Sequence, residues 1–139
     1  LIGVDDLLCN YRTWLGVKFL HQGRTRLGCD CLGFIAAGAN EIGSSIFLEQ
    51  LPINYSRNPQ RLLLDKLADL TRQIPEQPGA LVTVQWPLHQ FASHGAVLTR
   101  DGTIIHCNQP NGKVVEHTYG GQWRQRTHSI WAIPLVIYQ

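Results

Sequence analysis

The chain has 139 residues, 44% of them apolar and 16% charged, with a formal net charge of +2. That length suits one domain, residues 1–139, with its own core, and the composition is globular rather than disordered. The small charge, with no Lys/Arg cluster interleaved with aromatics, argues against a nucleic-acid stripe, and no apolar run approaches the ~20 residues of a bilayer span.

Asp5 and Asp6 stand where a signal peptide would carry its basic region, so none is expected. Residues 4–15 read as a helix. Leu7, Leu8, Tyr11, Trp14 and Leu15 form one apolar face, and Gly16 ends it. Residues 17–29 read as a long loop with glycines and arginines. A second helix is expected from Asp30 to near Gly43, then a loop over 44–56. Asn58 and Pro59 have the chemistry of an N-cap and first helical position, opening a third helix buried through Leu62, Leu63, Leu67 and Leu70. Pro75-Glu76-Gln77-Pro78-Gly79 breaks the chain.

The apolar period then changes to two. Strands are expected at 80–86, 95–100, 103–108, 113–118 and 128–138, with turns at Asp101-Gly102 and Asn111-Gly112. Helices followed by an antiparallel meander make an α+β chain.

Four cysteines occur, Cys9, Cys29, Cys31 and Cys107, and their spacing reads as free thiols. Cys9 falls in a helical pattern as a small buried hydrophobe. Cys107 follows His106 on a strand and should point to the opposite face. Cys31 opens a helix, where the positive end of the helix dipole lowers a thiol's pKa and favours the thiolate. A thiol nucleophile needs a base, and the base an orienting partner. His94 and His106, both in strand-like settings, supply these roles.

A two-residue turn at Asp101-Gly102 pairs 100 with 103 and 97 with 106, which puts His94 and His106 on opposite faces. For them to meet, the hairpin needs a bulge or a longer turn that shifts the register by one. Zinc is the competing chemistry, since Cys29, Cys31, His94 and His106 are soft ligands. A Cys-x-Cys pair at a helix start splays its thiols, however, and no metal is expected. His21, in the loop before Cys31, can line a cleft. His89, His117 and His128 read as structural or exposed, and Trp86, Trp123 and Trp131 as core or cleft wall. Asp30 reads either as a stabilising charge at the helix start or as a site for a substrate ammonium.

Five pieces in order resemble the NlpC/p60 family of papain-like cell-wall cysteine peptidases. They are Trp14-Leu15-Gly16-Val17-Lys18-Phe19, Asp30-Cys31-Leu32-Gly33-Phe34-Ile35, Pro78-Gly79-Ala80-Leu81-Val82, Ser93-His94-Gly95-Ala96-Val97 and Asp101-Gly102-Thr103-Ile104-Ile105-His106. The resemblance runs from about Trp14 to Ile133. It implies an α+β, papain-like fold: N-terminal helices, with the nucleophile at a helix start, packed on a C-terminal antiparallel sheet of about five strands. It implies that Cys31 is the nucleophile, His94 the base and His106 the residue that orients it, without a cofactor.

The substrate implied is a peptidoglycan stem peptide, cut between D-glutamyl and a diamino acid at the bacterial cell wall. Asp30, Leu32 and Phe19 fall at the subsite for the free amino end of the stem. Leu32 stands for the family's Ser, Phe19 for its Tyr and Ala80 for its common Asp, which changes specificity more than chemistry. The Asp-Cys-Leu-Gly form resembles a phage and prophage subset, whose partners include tail proteins. Two other readings are a non-enzymatic tail module that keeps the fold and another papain-like amidase or transferase. Faster iodoacetamide labelling of Cys31 than of Cys9, Cys29 or Cys107 separates an activated thiol from an inert one.

Overall fold

A computed structural model describes residues 1–52, 55 and 62–138. Asn58 and Pro59 lie outside the described residues, as does the side chain of Leu62. In chain order the elements are β1 (Ile2–Gly3), α1 (Val4–Arg12), β2 (Arg24–Thr25), β3 (Gly28–Cys29), α2 (Cys31–Asn40), α3 (Ile46–Gln50) and α4 (Leu62–Leu70). There follow β4 (Leu81–Val84), β5 (His94–Leu98), β6 (Thr103–Asn108), β7 (Lys113–Thr118), α5 (Gly121–Gln125), β8 (Thr127–Trp131) and β9 (Val136–Ile137).

Helix α2 organises the molecule. Its sequence, Cys-Leu-Gly-Phe-Ile-Ala-Ala-Gly-Ala-Asn, is apolar all round, and Leu32 through Ala39 are buried. Such a helix is stable only when surrounded. Its small residues let neighbours close in. A Cβ at Gly33 would stand 1.7 Å from the carbonyl oxygen of Gly23, so only glycine fits there. Tyr11 of α1 packs its ring 4.9 Å from Phe34 and donates its hydroxyl to the carbonyl of Ile35 at 2.7 Å.

The other side of α2 meets a five-stranded sheet in the order β7-β6-β5-β4-β8, with antiparallel neighbours throughout. The expected α+β architecture, helices first and then an antiparallel sheet of five strands, is what the chain forms. Both β4 and β5 are buried along their whole lengths. Among the described residues no helix is long and apolar enough to cross a membrane.

Several local expectations differ. Helix α1 ends at Arg12, so Leu15 lies beyond it and is exposed, while Trp14 is buried. Cys9 is exposed on α1 rather than buried. The loop over 17–29 contains the short β2–β3 hairpin, and 44–56 contains α3. The expected last strand is split. β8 ends at Trp131, and after residues 132–135 β9 leaves the sheet to pair in parallel with β1. α5, over Gly121–Gln125, is not among the expected elements.

The β5–β6 hairpin carries the register shift that the two histidines require. Val97 pairs with Ile105 and Leu98 with Ile104. Thr99 and Thr103 close the turn: the Thr99 N–H donates to the Thr103 carbonyl at 2.9 Å, and their hydroxyls meet at 2.6 Å. The turn is therefore three residues, Arg100-Asp101-Gly102, with Gly102 at φ +73° in the left-handed region. Continued in this register, residue 106 falls opposite 96, two positions from 94, and all three share a face.

Candidate active site

Cys31 is the first residue of α2, partly exposed, with Asp30 as the N-cap. The Asp30 carboxylate accepts from the Gly33 N–H at 2.8 Å, the Gln22 N–H at 2.8 Å and the Tyr55 hydroxyl. The cap fixes the first turn of α2 and ties to it the loop before Cys31 and a residue beyond α3. The start of β5 lies against Cys31, where the N–H groups of Gly95 and Leu32 favour its thiolate.

Those donors and the helix dipole are outweighed. Burial first, and then the negative charge of Asp30, push the Cys31 thiol up to about 12. The expectation of a lowered thiol pKa is corrected by this balance: a capping carboxylate next to the sulfur opposes the dipole it complements.

His94, buried on β5, meets His106, buried on β6, with Nε2 and Nδ1 2.7 Å apart. Burial lowers His94 to about 4 and His106 to about 2, with like-charge repulsion within the histidine cluster adding to it. The chain of contacts continues. His106 Nε2 lies 2.7 Å from Nε2 of His117 on β7, and His117 Nδ1 lies 3.1 Å from the carbonyl of Thr118. His106 pairs with Val115, two residues from His117, so the three imidazoles share one face on three adjacent strands.

Trp123 of α5 covers the row, 4.7 Å from the His106 ring, 5.0 Å from His117 and 6.2 Å from His94. Trp86 packs against Trp123 at 5.1 Å and lies 6.2 Å from His94. Among the described residues no group of His, Cys, Asp and Glu has the arrangement of a metal site. Here the ring nitrogens face one another instead of converging on a common point.

No protein-family model matches the sequence, and no curated protein matches it. Solved structures do. An NlpC/p60 family protein from Bacillus cereus superposes with a TM-score of 0.70 at 18% identity, over 94% of this chain and 40% of that one. The NlpC/p60 domain of the peptidoglycan hydrolase SagA matches with a TM-score of 0.62 at 16% identity, over 93% of this chain and 97% of that domain. The peptidoglycan hydrolase RipB of Mycobacterium tuberculosis matches with a TM-score of 0.62 at 15% identity, over 94% of this chain and 64% of that one.

The chain has the NlpC/p60 fold. It spans about two fifths of the Bacillus cereus protein.

Within the NlpC/p60 fold the remaining predicted residues take different places. His21 stacks edge-on to Tyr55 at 5.8 Å, beside the Asp30 cap. Phe19 is partly buried against the core, and its N–H donates to the Gly112 carbonyl at 2.9 Å. Leu32 is buried in the apolar core around α2. All four cysteines are free thiols. Cys107 points away from His106, and its Sγ donates to the Cys29 carbonyl at 3.2 Å.

Tyr55 and His117 near the site escaped sequence reasoning, whereas Trp123, expected as core or cleft wall, stands over the histidines. Tyr55 donates its hydroxyl to Asp30, and nothing in its loop sequence signals this. Trp123 comes from the unanticipated α5. His117 was readable in part: a two-residue turn at Asn111-Gly112 puts residues 106 and 117 on one face, and the observed four-residue turn between Asn108 and Lys113 keeps that parity.

Proposed function

We propose that the protein is a cysteine peptidase that hydrolyses an amide bond in the stem peptides of bacterial peptidoglycan. One observation carries the reading: the cysteine at the start of the buried helix meets the backbone N–H of Gly95, the neighbour of His94, and His94 is hydrogen-bonded to His106 at 2.7 Å. The NlpC/p60 fold, shared with the peptidoglycan hydrolases SagA and RipB, supports the substrate class.

In the mechanism Cys31 is the nucleophile, His94 the base and His106 the residue that orients it. A thiol raised to about 12 and an imidazole lowered to about 4 rest as a neutral pair. The proton therefore moves as the bond forms rather than before it. His94 Nε2 is engaged by His106, which leaves Nδ1 to accept the thiol proton. The sulfur attacks the amide carbonyl, and the first-turn N–H of Cys31, which has no partner within the helix, stabilises the oxyanion. His94 returns the proton to the leaving amine as the C–N bond breaks, and water then hydrolyses the thioester.

Asp30, with His21 and Tyr55 beside it, forms an anionic corner suited to the free amino end of a stem peptide. Phe19 and Leu32 shape the apolar ground behind it. The bond assigned is D-glutamyl to diamino acid, and the Asp-Cys-Leu-Gly form supports a wall-degrading protein carried by a phage or prophage.

The test is digestion of purified peptidoglycan with mass identification of the fragments. The wild type should release peptides with a new D-glutamyl terminus, and Cys31→Ala should release none. Equal release by both proteins would sink the reading.

A further inference from the structure

The chain of histidines does not stop at the pair that the proposed mechanism uses. His117 continues it, and its own anchor sets a direction. A carbonyl oxygen can only accept, so the nitrogen facing Thr118 carries a proton: His117 Nδ1–H donates to that carbonyl at 3.1 Å. In neutral His117, Nε2 is then an acceptor. His106 Nε2, 2.7 Å away, must donate to it. That leaves His106 Nδ1 without a proton, so His94 Nε2, also 2.7 Å away, must donate in turn. His94 Nδ1 ends the row as a free lone pair. Each step follows from the rule that a neutral imidazole has one donor and one acceptor nitrogen.

We propose that His117 is a positioning residue: through His106 it fixes the tautomer of His94, so that the base presents an unprotonated Nδ1 for the Cys31 proton. The inference rests on the reading of Cys31 and His94 as nucleophile and base. It adds a third imidazole that touches neither substrate nor sulfur. His106 cannot set the direction alone, because its ring offers the same two nitrogens in either tautomer. The Thr118 carbonyl breaks that symmetry. The indole of Trp123 covers the row, and Glu116 points to the other face of β7, where it pairs with Arg12 at 3.0 Å. Among the described residues, the titratable groups facing His117 are thus His106 and, beyond it, His94.

Two measurements test this without relying on peptidoglycan cleavage. Nitrogen-15 NMR of the histidine rings in the wild type at neutral pH reads each tautomer directly. The expected pattern is Nδ1–H on His117 and Nε2–H on both His106 and His94. A proton on Nδ1 of His106 or His94 would overturn the proposal.

The second measurement is the rate of iodoacetamide alkylation of Cys31, followed by peptide mapping. His117→Phe removes the acceptor, keeps a ring under Trp123, and should slow Cys31 by about tenfold or more. His117→Gln restores an acceptor oxygen and should stay within about threefold of the wild type. Equal rates in all three proteins would overturn the proposal even if peptidoglycan is still cut. The expected tautomers and rates in a protein that cuts no peptidoglycan would sustain the relay and remove the hydrolase reading. Should His117→Phe fail to fold, the wild-type spectrum still decides.

Discussion

At Cys31 four influences compete. The helix dipole and the N–H groups of Gly95 and Leu32 favour the thiolate, whereas burial and Asp30 favour the thiol, and the second set wins. Asp30→Asn isolates one influence. An asparagine still caps α2 through its side-chain oxygen but carries no charge. The Cys31 pKa should fall, and alkylation at neutral pH should speed up, as read from the pH dependence of labelling. Because burial is the larger cause, the pKa should stay above the ordinary thiol value of 9.0. An unchanged profile would mean that Asp30 does not act through its charge. Labelling must be mapped by residue, since Cys9 is exposed and will react whatever the state of Cys31.

Among the elements, the β5–β6 hairpin decides whether a site exists. Its three-residue turn sets the parity that puts His94 and His106 on one face. Inserting one residue between Thr103 and Ile104, with the three-residue turn kept, should shift β6 by one against β5 and bring residue 106 opposite 95 instead of 96. His106 would then leave the row. The expected outcome is a folded protein, by circular dichroism, that has lost the histidine contact and Cys31 reactivity together.

The need for this shift was legible, because the positions of His94, His106 and Asp101-Gly102 fix the parity problem. Which device solved it was not. β5 is buried on both faces, so no apolar alternation marks its register. α5 and the β1–β9 pair were invisible for a related reason. Each is too short to show a period, and each is held by contacts distant in sequence. Gly33 makes a second test at this scale. An added Cβ would overlap the Gly23 backbone, so Gly33→Ala should lower the melting temperature and loosen the first turn of α2.

For the whole molecule, the buried pair His94 and His106 couples folding to pH. In the unfolded chain His94 takes a proton near 6.5, but in the fold it resists until about 4. Between these values the unfolded state binds more protons, so stability is full above 6.5 and declines as pH falls toward 4. At about 1.4 kcal/mol per pH unit, His94 alone is worth on the order of 3 kcal/mol. His106, lowered to about 2, carries the loss further into acid. The melting temperature should fall steadily from pH 6.5 to 4, and His94→Gln should flatten that slope. A slope unchanged by the substitution would place the acid sensitivity elsewhere.

The sequence by itself determined the helix that starts at Cys31, the strands that carry His94 and His106, and the α+β order. Each rests on local chemistry: a cap, an apolar period or a turn dipeptide. Only the tertiary structure decided that the thiol is held neutral, that Tyr55 reaches Asp30, and that His117 completes a row under Trp123. Those outcomes depend on burial and on the strand register, which arise from packing segments far apart in the chain, and no local pattern encodes them.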